Sequence, residues 1–169
     1  MTVKRADHNY RQRTNGTSLT GGKGMGLVYA DIQLTNEDDL AFYRRGWASE
    51  TELRRITTRA LVDSGALDLV ITEEVQRQLD LPILGTRMVS LADETILDVD
   101  IVGPVEVRFA NRSTTVRALV LPGADHVLLG AIPLEGLDVF IDPAGERLVV
   151  NPKSPDTPMS PIKEVRLSI

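Results

Sequence analysis

The residues of this chain with the clearest chemical potential are Asp63-Ser64-Gly65, set inside the run RALVDSGALDLVI from Arg59 to Ile71. Ala60, Leu61 and Val62 precede the acid, and Leu67, Leu69, Val70 and Ile71 follow it closely. A carboxylate in apolar surroundings is costly unless it is paired, hydrogen-bonded or protonated. The tripeptide alone also fits a plainer role, an Asp that caps a turn after a strand with Gly supplying an unusual backbone angle. A second stretch repeats the form. In HVLLGAIPLEGLDVFI an apolar strand again runs into a glycine, Gly130, ahead of a short helix and another strand.

Other chemistries find little support. There is no cysteine, so disulfides, thiolate zinc sites and a Cys nucleophile are excluded. His8 and His126 have no partner at metal-ligand spacing, and no Ser-His-Asp arrangement can be argued around either. The glycine cluster LTGGKGMG lacks the Gly-Lys-Ser/Thr of a phosphate loop, since Lys23 precedes Gly24 and the cluster leads into a strand. Glu37-Asp38-Asp39 and Glu73-Glu74 are expected to be solvated faces.

The elements that must position Asp63 are mostly strands. Alternation predicts one over Leu27–Leu34, and the β-branched run Ile56–Val62 leads directly into the Asp. Between them lies a charged stretch of short helical or loop character, with Trp47 expected as a packing anchor. Thr72 is a candidate N-cap for a short helix carrying Val75 and Leu79, stopped by Pro82. Thr86–Leu91 and Thr95–Val102 read as a hairpin with the polar tip Ala92-Asp93-Glu94. Further strands are expected at Val105–Ala110 and Thr114–Leu121, then at HVLLG. A helical turn or two follows, and a last hairpin forms around Ala144-Gly145. The whole describes a mostly β fold, a small closed barrel with one or two short helices.

ALVDSGA (Ala60–Ala66), followed far downstream by VLLG (Val127–Gly130), resembles the retropepsin-like aspartic proteases. These are the single-domain, homodimeric relatives of pepsin that include retroviral proteases and bacterial homologues. The resemblance runs from about Leu27 to Pro152 in order and spacing. It implies a retropepsin-type barrel, an endopeptidase activity on an extended peptide or protein, a homodimer, and no metal or cofactor. The chain has one Asp-Ser-Gly, so Asp63 and its symmetry mate would form the catalytic dyad and share a proton. The ionised member would act as general base on a water while the other polarises the scissile carbonyl. The resemblance gives Ser64 a hydrogen bond across the axis and Gly65 room for amides to approach the carboxylate. Ala66, Leu67, Asp68, Leu128 and Gly130, with Ala92, Asp93 and Glu94 on a flap, become the substrate-binding candidates. Leu67 and Ala131 replace an Asp and an Arg that pair in the retroviral enzymes, so contacts near Leu67 should be less polar. The alternative reading is a non-catalytic retropepsin-fold module for dimerisation or peptide binding. A third is a self-processing precursor with a terminal segment over the cleft.

Composition bounds the partners. A net charge of −5 disfavours nucleic acid, which needs a basic surface. No run of about 18 apolar residues is present to span a membrane. With no apolar leader after the N-terminus and no cysteine, a soluble cytoplasmic protein is expected. Three segments are expected: a flexible basic arm over 1–24, a domain over 25–152 and a Pro-rich tail over 153–169. Met25 is a candidate original start.

Overall fold

The computed structural model describes residues 26–162. The arm expected over 1–24 and the terminal VRLSI, considered as an added strand, lie outside these residues. Nine strands and three short helices follow in the order β1 (Val28–Asn36), α1 (Glu37–Arg44), β2 (Arg55–Val62), β3 (Leu69–Ile71), α2 (Glu73–Leu79), β4 (Ile83–Ser90), β5 (Ile96–Phe109), β6 (Arg112–Val120), β7 (Val127–Leu129), α3 (Ala131–Leu137), β8 (Val139–Asp142) and β9 (Arg147–Val150). A 3₁₀ turn, Glu50–Glu52, precedes β2. No helix among the described residues is long and apolar enough to cross a membrane.

Six strands close a barrel in the order β1-β2-β7-β3-β6-β5, sealed by antiparallel pairing of β1 with β5. Alternation fills it. Val28, Ala30, Ile32 and Leu34 of β1 are buried, as are Ala60 and Val62, Val105 and Val107, Ala118 and Val120, and Val127 and Leu129. β4 lies outside the ring and, among the described residues, pairs only with β5, forming a long hairpin. β8 and β9 make a separate two-stranded sheet. The mostly β retropepsin-type barrel expected from the sequence is therefore observed, with three helices in place of one or two.

Several boundaries differ for identifiable reasons. The strands expected at Thr95–Val102 and Val105–Ala110 are one strand, β5, with a register shift at the cis Gly103–Pro104 peptide. β3 is too short for periodicity to reveal; it exists because β6 and β7 flank it. The helix after Thr72 ends at Asp80, which takes left-handed backbone (φ 48°), ahead of Pro82. Trp47 is no core anchor: it is 68% exposed, tilted 5.9 Å from the Phe42 ring, with the Arg45 guanidinium over it.

The acidic stretch Glu37-Asp38-Asp39 is also not uniformly solvated. Asp39 is buried and accepts from Arg54 at 2.6 and 2.8 Å through the guanidinium and at 3.0 Å through the backbone amide. The Arg54 side chain beside it holds the Asp39 carboxyl below the usual range. Asn36 caps α1 and also donates to the Leu79 carbonyl at 2.9 Å, fastening α1 to the end of α2.

Candidate active site

The parallel pairing of β2 with β7 builds the site. Val62 lies opposite Leu129, so the two strands end side by side and run on into Asp63 and Gly130 respectively. β3 runs antiparallel to β7, with Leu69 opposite Leu129, so it starts at that same end. The chain from Asp63 to Asp68 must therefore turn tightly between two strands that share β7 as their neighbour.

Backbone hydrogen bonds hold that turn. The Asp63 amide donates to the Leu129 carbonyl at 3.1 Å and the Ala66 amide to the Asp63 carbonyl at 3.2 Å. From the other side, the Ala131 and Ile132 amides donate to the carbonyls of Ala66 and Leu67 at 2.8 and 2.9 Å. The first turn of α3 thus satisfies the loop, and the loop takes up amide groups that a helix start leaves without partners. Gly130 makes this approach possible. A Cβ there would lie 2.8 Å from the Leu67 carbonyl carbon, 2.9 Å from the Ala66 oxygen and closer still to the Asp68 oxygen, all backbone atoms.

Asp63 itself is exposed in the protomer, as are Ser64 and Gly65. The burial suggested by its apolar neighbours is not observed, because the strand stops at Val62 and the side chain stands on the rim. Its Oδ1 accepts the Gly65 amide at 2.8 Å. A side chain on Gly65 would meet that oxygen at 3.1 Å, so glycine keeps the amide within reach.

Of the other expected site residues, Ala66 and Asp68 are half-buried in the loop, whereas Leu67 is 57% exposed beside Asp63. Leu128 is half-buried between Leu61 and Val70, and Gly130 is buried. Ala92, Asp93 and Glu94 sit exposed at the tip of the β4–β5 hairpin. That tip is closed by its own bonds, Leu91 amide to Thr95 carbonyl at 2.9 Å and Thr95 amide to Asp93 Oδ1 at 3.0 Å. The structure therefore brings Asp63 through Asp68 together with Gly130.

Two residues escape a sequence reading. Ile132, 44% exposed, follows Gly130 and bonds to the Leu67 carbonyl, so with Leu67 it gives the site an apolar rim. Arg87 of β4 lies 3.1 Å from Asp68 Oδ2. Its signal was available, because Arg87 occupies the same alternating set as Val89, a charge where an inward apolar residue is the norm.

Comparison with known families bears on this arrangement. An aspartyl protease family model matches residues 51–131, a stretch that holds Asp63 through Asp68, the β4–β5 hairpin and Gly130. The matching family belongs to the retropepsin-like clan. A search of curated proteins finds no match. Within the matched stretch both glycine-marked strand ends are present, and they are the parts that the backbone hydrogen bonds join. β1, which closes the barrel, and the β8–β9 sheet lie outside the matched stretch.

Proposed function

We propose that the protein is an aspartic endopeptidase acting as a homodimer, with Asp63 of each protomer contributing one carboxylate to a shared dyad. The observation that carries this reading is the exposure of Asp63 on a loop fixed in place, inside a segment that matches the aspartyl protease family. A protomer supplies one such carboxylate, and the chemistry requires two.

Two carboxylates brought into contact cannot both ionise readily, so the pair holds a proton between them. The ionised member takes a proton from a bound water, whose oxygen attacks the peptide carbonyl carbon. The protonated member donates to the carbonyl oxygen as negative charge develops there. Collapse of the tetrahedral species breaks the C–N bond as the nitrogen receives a proton. Gly65 and its amide keep Asp63 oriented, and Ser64 bonds to the partner loop. Leu67, Ile132 and the inner face of the β4–β5 hairpin form the walls against which an extended peptide lies, with Ala92, Asp93 and Glu94 at the tip of a flap. Catalysis draws on no metal or cofactor in this scheme.

Incubation with an unfolded protein substrate at mildly acid pH tests the reading. Wild type is expected to cleave it, and Asp63→Asn to lose cleavage while sedimenting as the same dimer. Equal activity, or equal inertness, of the two proteins would sink it; inertness with retained peptide binding would assign the cleft to a non-catalytic binding module.

A further inference from the structure

Asp68 and Arg87 connect two parts of the molecule that the backbone leaves separate. Asp68 ends the loop that begins at Asp63, and this loop is fixed by the amides of Ala131 and Ile132 and by its packing on Gly130. Arg87 lies in the middle of β4, an edge strand whose ladder among the described residues is with β5 alone. Across that ladder Arg87 faces Val99, which is buried, so the guanidinium projects from the inward face of the hairpin. Arg87 Nη1 and Asp68 Oδ2 are 3.1 Å apart, with side chains 45% and 20% exposed. A fixed loop is thereby tied to a strand at the edge of the described sheet.

We propose that the Asp68–Arg87 ion pair is a latch that sets how far the β4–β5 hairpin stands from the Asp63 loop. Both are positioning residues: the pair bridges the flank of the cleft that a peptide must enter and acts through the hairpin. The consequence for peptide entry rests on the protease reading, while the latch itself is a property of the fold. At this exposure the pair is screened by salt, and its loss shifts the open-to-closed ratio of the hairpin by about two- to fivefold. A shift of that size suits a gate that must open in every cycle. A buried pair would hold the hairpin shut.

The absence of native cysteines allows the test to be specific. Spin labels on Ala92→Cys and Glu135→Cys report the distance from hairpin tip to α3, with labelled chains diluted in unlabelled protein so that only pairs within one chain count. At low salt the wild type is expected to give a dominant short distance. Arg87→Ala and Asp68→Asn should each raise the long-distance population by about two- to fivefold. Salt at about 0.5 M should move wild type the same way and leave Arg87→Ala unchanged. The charge-reversed pair Asp68→Arg with Arg87→Asp should restore the short distance. Superimposable distributions for wild type and the single variants at low salt, or a double variant as open as the singles, would overturn the latch. Peptidase assays add the second arm: Arg87→Ala should raise KM about two- to fivefold with kcat little changed. If wild type proves as inert as Asp63→Asn, the protease reading falls and the spin-label distances still decide the latch.

Discussion

At Gly130 the difference between a hydrogen atom and a methyl group governs whether the Asp63 loop can close. The obstacles to a Cβ are backbone atoms of Ala66, Leu67 and Asp68, which cannot rotate away. Gly65 is different, because the atom nearest to a Cβ is one oxygen of the Asp63 side chain, at 3.1 Å. Gly130→Ala is therefore expected to lower stability by about 1–3 kcal/mol in urea unfolding. Gly65→Ala should lower it by less than about 1 kcal/mol while disturbing the carboxylate that its amide holds. Equal losses for the two would contradict this account. These two glycines and Asp63 are legible in the sequence because each is tied to a local pattern, an apolar run that ends abruptly. Arg87 is legible only in part: its charge breaks the inward alternation of its strand, but the partner that gives the charge meaning, Asp68, is known only from the fold.

At the scale of elements, α3 joins two functions. Its first turn bonds to the Asp63 loop, and its last residue is followed by Asp138, in left-handed backbone (φ 53°). The Asp138 carboxylate gathers the segment after β9: it accepts from the Ser154 hydroxyl at 2.6 Å, from the Met159 amide at 2.9 Å and from Asn151 Nδ2 at 2.8 Å. Arg112, fully buried at the start of β6, donates to the Ser154 carbonyl from beneath. The Ser154 hydroxyl, then the Met159 amide and Asn151, depress the Asp138 carboxyl to about 2. A carboxyl with a lowered value stabilises the folded state above the ordinary carboxylate range, and that contribution is lost as pH falls through about 2. The Met159 amide, followed by hydrogen exchange, is thus expected to stay protected down to about that pH in wild type. In Asp138→Asn it should lose protection at every pH, while the barrel amides of β6 keep theirs. The Pro-rich composition after Lys153 suggests an extended tail, but the described part turns and bends through 152–157, where the Ser154 amide bonds back to the Asn151 carbonyl. Its anchorage to Asp138 was not legible, because the two are joined only by the folding back of the β8–β9 hairpin.

At the scale of the whole molecule, the decisive quantity is the number of carboxylates per site. If activity resides in a pair of Asp63 residues from two chains, wild-type protein mixed and re-equilibrated with an equal amount of Asp63→Asn should lose about half its activity per wild-type chain. Random pairing puts half of the wild-type chains into mixed dimers with a single reactive Asp. Unchanged activity per wild-type chain would mean that each protomer works alone, and would remove the dimer from the mechanism. The exposed Leu67 and Ile132 beside Asp63 are consistent with a rim that a second chain or a peptide covers.

Read alone, the sequence determines the strands that alternate, the two glycine-marked strand ends, the amphipathic α2 and the acid placed between apolar runs. Each is set by interactions among residues near one another in the chain, which periodicity and turn chemistry express directly. The tertiary structure decides the rest. The parallel pairing of β2 and β7 sets Asp63 beside Gly130, although 66 intervening residues separate them in the chain. It moves Asp63 from an apparent interior to an exposed rim, recruits the three-residue β3 between stronger neighbours, and brings Arg87 to Asp68. Such contacts depend on which strands lie side by side, and strand neighbours are chosen by closing one core over the entire chain.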